Sequence, residues 1–283
     1  MKFPLQSTVS IGKYVASQQR KGQRYPLVLM LEPTLACNIA CIGCGKIREY
    51  ESNRARLSVE ECLDWFEPSP RMTFVVHLDG MQEIHDYVCD YPGLWEVAVD
   101  AIKTARARGF RVTTNTTIFK ETEVGDVIEM MRYLTDEVGI DGMLVAPGYQ
   151  YSQIDPALTM TRTEHEVKFR AIRAAVKEHG YRWLATPIYQ DFLTGDRKLS
   201  CAPWGSITRN PYGWKGPCYL LTDGIFPTYE ALLEGMEWEA YGPGNDPRCE
   251  HCGIHSGFEP SAAFESSKSL KETVRSMAWT LSG

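Results

Sequence analysis

The chain has 283 residues, 43% of them hydrophobic and 23% charged, the composition of a soluble globular protein long enough to bury a substantial core. A net charge of −6 excludes general nucleic-acid binding, which needs a basic footprint. No apolar run approaches the ~20 residues of a membrane-spanning helix. Nine cysteines, with no secretory signal and no pattern of small disulfide loops, point to a reducing, cytoplasmic setting and to metal chemistry.

The charge is unevenly spread. Residues 1–24 hold Lys2, Lys13, Arg20, Lys21 and Arg24 and no acidic residue, with Phe3, Leu5, Val9, Ile11, Tyr14 and Val15 interspersed. This pattern predicts a short basic amphipathic helix, which either lies peripherally on an anionic membrane surface or packs against the body of the protein. Pro26–Pro33 is a continuous apolar run with the length of a strand buried on both faces.

Directly after that run come Cys37, Cys41 and Cys44, spaced C-x3-C-x2-C. One short loop thus supplies three thiolates and leaves a fourth ligand position unfilled. A structural zinc site takes four protein ligands, whereas a 4Fe–4S cluster held by three cysteines keeps one iron open. Zinc completed by a distant residue, or plain buried thiols, are the alternatives. Cys62 and Cys89 have no partner at ligand spacing and read as core residues.

Ser58–Glu61 has the form of a capping box that opens a helix. Met72–Asp79 reads as a second buried strand closed by Gly80, and Leu94–Arg108 as a helix ended by Gly109. Phe110–Phe119 is a third strand, rich in Val and Thr. Glu123–Val138 is a helix, Ile140–Ala146 a fourth strand, Thr161–His179 a long helix and Tyr181–Thr186 a fifth strand. Strand alternating with helix predicts an α/β fold with parallel strands joined by helical crossovers. Ligands gather at the carboxyl ends of such strands, where the cysteine loop, Asp79, Asn115 and Gly148 all fall. Asp79 and Asn115 suit ribose hydroxyls or an amino-acid group; a turn and a helix cap are their plainer readings.

After Asp191 the periodicity stops. The stretch from Cys201 to Leu220 is rich in Gly, Pro and Trp, a helical patch surrounds Tyr229–Trp238, and Cys249-Glu-His-Cys252 follows. Cys201, Cys218, Cys249 and Cys252 suit a second metal site, either an auxiliary iron–sulfur cluster or zinc. His255 is a spare candidate ligand for that site, its plainer reading being a satisfied surface histidine, and the serine-rich tail from Ser261 reads as one exposed helix. The expected segments are therefore an N-terminal segment (1–24), a barrel core (25–190), a Cys-rich domain (191–260) and a tail (261–283).

The cysteine loop after a strand resembles the radical SAM superfamily. The runs from Arg24 to Pro33, Cys41 to Lys46, Arg56 to Cys62, Cys201 to Gly205 and Gly213 to Leu220 narrow this, because they resemble the hopanoid-biosynthesis family of adenosylhopane synthases. The resemblance extends from the N-terminus to about Glu259. It implies a partial (β/α) TIM-like barrel, a 4Fe–4S cluster on Cys37, Cys41 and Cys44, and S-adenosylmethionine (SAM) as cofactor. It also implies an electron donor such as flavodoxin or ferredoxin, and addition of a 5′-deoxyadenosyl radical to the alkene of diploptene to give adenosylhopane. Gly43 stands where the superfamily commonly has an aromatic residue, a habit of this family, and its backbone is placed to contact adenine.

The chain departs from the family in two places. Near the C-terminus His255-Ser256-Gly257 stands where relatives have a further cysteine. Between Cys62 and Pro70 the family carries roughly two βα units, including a Gly-Gly-Glu-Pro motif that meets the methionine part of SAM; this chain has neither. The expected barrel is accordingly shortened by about two βα units. Two other readings stay open: a non-catalytic metal-binding relative that has lost SAM binding, and a radical SAM enzyme acting on another substrate.

Overall fold

In the computed structural model, residues 5–32, 37, 39–44, 56–58, 61, 73–151 and 155–282 are described. Two units divide the chain: the first is Met1–Leu31, Thr186–Glu250 and His255–Gly283, the second Glu32–Ala185 and His251–Ile254. The first unit opens with helix α1 (Leu5–Lys21) and strand β1 (Val28–Leu31).

The second unit alternates strand and helix. Its elements are β2 (Thr73–His77), α2 (Gln82–Cys89), α3 (Leu94–Ala107), β3 (Arg111–Ile118), α4 (Val124–Arg132), β4 (Gly142–Pro147) and α5 (Arg162–His179). The three strands form a parallel sheet in the order β2-β3-β4, with His77 opposite Asn115 and Thr117 opposite Ala146. Val99 and Ile102 of α3, Val127, Met130 and Met131 of α4, and Phe169 and Ile172 of α5 are buried as helical spacing requires. At its far end α4 continues as a π-helical turn, Tyr133–Val138, capped by Gly139 at φ 76°. The capping box of α5 is formed in full by Thr161 and Glu164. That of Ser58 is formed too: Ser58 N donates to Glu61 Oε2 (2.8 Å) and Glu61 N to Ser58 Oγ (3.1 Å). The helix expected after it, and Cys62, lie outside the described residues.

The fifth strand expected at Tyr181–Thr186 is reduced to one parallel bridge between Met143 and Trp183. Met143 N donates to Arg182 O (2.9 Å) and Leu184 N to Met143 O (2.7 Å). Pro187 opens α6 (Pro187–Leu193) and disfavours further pairing, because it has no N–H to donate.

The stretch expected to be irregular is ordered. It forms β5 (Ser206–Asn210), β6 (Gly213–Pro217) and β7 (Thr222–Phe226), and the sheet of the first unit runs β1-β5-β6-β7. β1 and β5 are parallel, and the later pairs antiparallel. The β5–β6 turn is held by the Asn210 side chain, whose Oδ1 accepts from Tyr212 N (2.9 Å) and Gly213 N (3.1 Å). Gly213 sits at φ 149°, where a Cβ would come 2.6 Å from Phe226 O. Helix α7 (Tyr229–Gly235) covers this sheet, and Ile207, Trp214, Leu232 and Trp238 form its core.

Two helices follow, α8 (His255–Ser266) and α9 (Leu270–Ser282), instead of the single exposed helix expected from Ser261. α8 runs through Pro260 and is a core element: Phe258 is buried and stacks on Phe192 of α6 at 4.2 Å.

Among the described residues the strands do not close into a barrel. β1 and β2, which flank the shortened junction in the sequence, are each the edge of a separate sheet. Both edges leave apolar side chains in solvent: Val28 and Leu29 on β1, Phe74 and Val75 on β2.

Candidate functional site

The second unit holds a cluster of chemically active side chains at the carboxyl end of β2. After His77 the chain passes Leu78 and Asp79 and turns at Gly80 into α2. A Cβ on Gly80 would lie 2.7 Å from Ile84, so only glycine permits so tight an entry. Leu78 is tied to β3 by its N–H to Asn115 O (2.9 Å) and by its carbonyl, which accepts from Thr116 Oγ1 (2.7 Å).

Asp79 is buried and fully engaged. Its Oδ1 accepts from Thr117 N (2.7 Å), its Oδ2 lies 2.6 Å from His77 Nε2, and its own N–H donates to His85 Nδ1 (3.2 Å). The His77 side chain keeps 45% of its surface open to solvent. Its partial desolvation works against the charged form, yet the hydrogen bond to Asp79 and its negative charge outweigh this and leave the imidazole pKa raised. His85 is shifted the other way, because burial dominates.

The cysteine loop docks on this cluster. Ile42 N donates to Val88 O of α2 (3.0 Å), and Cys44 N to Cys41 O (3.1 Å) closes a turn. Cys37 is exposed, whereas Cys41 and Cys44 are partly buried. Cys41 is hydrogen-bonded by Cys89, and this above all draws its pKa down to about 7. Cys89 moves upward for the same reason and remains a thiol. Cys89, read from the sequence as a core residue, is indeed buried, but its sulfur also lies 3.8 Å from both ring nitrogens of His85 and it acts directly on Cys41. His77, His85 and Cys89 were not singled out by spacing. The only signal available was the separation of His85 and Cys89 by one helical turn.

In the metal-free protein, alkylation of Cys41 by iodoacetamide should rise with a midpoint near pH 7. In Cys89→Ala that midpoint should move up toward the ordinary thiol value of about 8.5, as read by peptide mass spectrometry.

Beside the loop lies a cavity of about 410 Å³. Ile42, Ile84, Tyr87, Val88, Phe119 and Leu158 give it a largely apolar lining, to which Gly43 and Asp79 also contribute. Glu83, Glu121, Glu123 and Asp126 complete the lining with carboxylates. Of the expected cofactor residues, Gly43 and Asp79 therefore face this space, Asn115 stands opposite His77 in the ladder, and Gly148 lies across the Phe119 ring from Gly43. A Cβ on Gly43 would sit 2.3 Å from that ring and one on Gly148 2.5 Å from it, so the two glycines together make room for Phe119.

The donor chemistry suits an iron–sulfur cluster: one loop offers three soft thiol ligands, and Cys41 is already drawn toward thiolate. Among the described residues no three His, Cys, Asp or Glu side chains stand in metal-binding geometry.

For the second cysteine set, the first unit brings Cys201, Cys218 and Cys249 toward Gly242. A Cβ on Gly242 would lie 3.4 Å from Cys201 Cβ. Burial raises Cys249, while a hydrogen bond with the Gly242 backbone lowers it and nearby Cys218 adds to the rise. Cys218 is raised by burial. Cys252 belongs to the second unit, in the segment His251–Ile254, where a Cβ on Gly253 would lie 3.0 Å from Pro147 and 3.5 Å from His165.

His255 departs from its plainer sequence reading. Its Nδ1 is buried without a hydrogen-bond partner, burial lowers its pKa to about 4, and it lines a cavity of about 240 Å³ in the first unit with Glu259. Glu259 accepts from Thr186 N (2.9 Å) and Thr186 Oγ1 (2.7 Å), but burial prevails and raises its pKa to about 7. A carboxyl raised in the folded state binds its proton more tightly there than in the unfolded chain. Its contribution to stability therefore declines as pH rises from about 4.5 to about 7. Glu259→Gln should remove that decline, giving a higher melting temperature than the parent above pH 7 and little difference near pH 4.5.

Residues 143–276 match a family described as a domain of unknown function, DUF3463. No curated protein matches the chain in sequence. Among solved structures, SuiB of Streptococcus suis is similar at a TM-score of 0.57 and 11% identity, over 91% of this chain and 78% of that one. SuiB bound to S-adenosylmethionine gives 0.51 and 12%, over 84% and 70%. SuiB bound to precursor peptide SuiA gives 0.54 and 11%, over 95% and 79%. At such identities the likeness is one of fold. It agrees with the fold class expected from the sequence, a mixed α/β fold with parallel strands that, among the described residues, do not close into a barrel.

Proposed function

We propose that this chain is a radical SAM protein of the adenosylhopane synthase kind, with Cys37, Cys41 and Cys44 as ligands of a 4Fe–4S cluster. The observation that carries the reading is the three-thiol loop fastened beside a cavity with a largely apolar lining, at the carboxyl end of parallel strands. The fold likeness to SuiB, which has been crystallised with S-adenosylmethionine, supports it. When bound, the cluster and SAM together supply a 5′-deoxyadenosyl radical.

The chain's own residues do the rest. Cys41 offers a thiolate near neutral pH because Cys89 donates to it. Asp79 locks the β2 and β3 ends together through Thr117 and His77, so the rim keeps its shape. The apolar wall of Ile42, Ile84, Val88, Phe119 and Leu158 keeps water away from a reactive carbon and suits a hydrocarbon alkene. The carboxylates of Glu83, Glu121, Glu123 and Asp126 favour a cationic ligand group, such as the sulfonium and ammonium of SAM.

The substrate part is tested by incubating reconstituted protein with SAM, reductant and diploptene and analysing the lipid extract by mass spectrometry. Adenosylhopane is the expected product. Formation of 5′-deoxyadenosine without adenosylhopane would assign the protein to another substrate.

A further inference from the structure

Helix α9 is amphipathic in the reverse sense. Leu270 is 82% exposed, Val274 57%, Met277 52% and Leu281 43%. At 100° per residue these four side chains fall within about 60° of one another, a continuous apolar stripe turned to solvent. Charged side chains instead fasten the helix to its own unit. Glu272 pairs with Arg197 (2.6 Å), and Arg275 with Asp191 of α6 (2.5 Å). An ordinary surface helix buries its apolar stripe and exposes its charges. A stripe held outward by ion pairs behind it is built to meet something.

The surrounding charge indicates what. In the same unit, α1 has no Asp or Glu from Leu5 to Lys21 and carries Lys13, Arg20 and Lys21. It too leaves apolar side chains in solvent, with Val9 46%, Ile11 57% and Tyr14 39% exposed. The Gln19 side chain hydrogen-bonds Ser267 Oγ, which joins the basic end of α1 to the turn that starts α9. Lys271 stands exposed next to Leu270 at that start. Glu230 and Glu234 line a cavity beside Gln19 and Lys268, and Glu239 pairs with Arg24, but α1 itself carries no acid, so its basic, apolar surface runs against the chain's net charge of −6.

A second copy of the chain is a poor partner for it, since a two-fold interface sets the patch against itself and brings like charges together. A bilayer with anionic headgroups answers both features: acyl chains take the apolar side chains, and headgroups take the lysines and arginines. With 13 residues, α9 is far too short to cross a membrane and suits one lying in its interface.

We propose that α1 and α9 together form a surface that seats this protein on an anionic lipid bilayer. The inference does not depend on the radical SAM reading, although an apolar lipid substrate would be met at the same surface.

The test is co-sedimentation of the full chain with phosphatidylcholine vesicles, with and without phosphatidylglycerol. Binding is expected only to the vesicles that contain phosphatidylglycerol. It should fall by about tenfold or more in the double variant Val274→Glu, Met277→Glu, and likewise in Lys13→Glu, Lys21→Glu. All four positions are exposed, and circular dichroism checks that the variants fold. Equal binding of parent and variants, or equal binding to neutral and anionic vesicles, overturns the proposal. So does a dimer in solution that the α9 variant dissociates while the parent ignores vesicles; the stripe is then an interface between copies. Formation of 5′-deoxyadenosine without lipid reports on the cysteine site separately, so the two readings fail independently.

Discussion

Replacing Cys41 with alanine should abolish the iron–sulfur cluster. Anaerobic reconstitution of the parent should give a brown protein with sulfur-to-iron charge-transfer absorption, and Cys41→Ala should stay colourless. The magnitude is set by ligand number: a loop with three thiols and no spare cannot lose one and still hold a cluster with a single open iron. A hydrogen bond from Cys89 also lowers the pKa of Cys41. Cys89→Ala should by contrast leave the cluster assembled, with slower reconstitution near neutral pH as the thiolate becomes scarcer. A Cys41→Ala protein with undiminished absorption would place the cluster elsewhere in the chain.

The second large effect belongs to Asp79. Asp79→Ala removes the acceptor of the Thr117 N–H and the partner of His77 at once. An unpaired buried N–H alone costs about 1–3 kcal/mol, so urea unfolding should show a loss of at least that order. Asp79→Asn keeps an oxygen for Thr117 and should recover much of the loss, while giving up the charge that raises the His77 pKa.

The pair also sets a pH dependence. His77 is raised in the folded state, so its contribution is fully present below the unfolded imidazole value. It is lost as pH rises through the raised folded value. In Asp79→Asn this loss should vanish, and the His77 imidazole resonances should titrate at lower pH than in the parent. Equal stability of parent and Asp79→Ala across the pH range would show that the strand ends are held by other contacts.

Where local pattern governs structure, the sequence could be read directly. Leu94–Ala107 and Arg162–His179 have apolar residues at helical spacing and recognisable ends at Gly109 and Thr161, and both form as expected. The cysteine loop is legible for the same reason, since its three cysteines lie within eight residues of one another. The C-terminal sheet is not. Its β5–β6 turn depends on one Asn210 side chain, its central strand Gly213–Pro217 is buried with no alternation to detect, and β1 pairs with a strand far along the chain, Val28 opposite Ser206. Nor does spacing reveal that Cys89 donates to Cys41, a contact created when the loop docks on α2 through Ile42 and Val88. Only the part of α8 from Ser261 onward reads as a serine-rich tail, whereas Ser256, Gly257, Ser261 and Ala262 are small and buried and let the whole helix pack closely as core.

If the three-cysteine loop and its cavity carry out the proposed SAM chemistry, the protein must cleave SAM itself. Reconstituted protein, incubated anaerobically with SAM and dithionite, should release 5′-deoxyadenosine and methionine in amounts that scale with its cluster content, and the Cys41→Ala variant should release none. A protein that holds an intact cluster and forms no 5′-deoxyadenosine would contradict the account and leave a metal-binding relative without this activity.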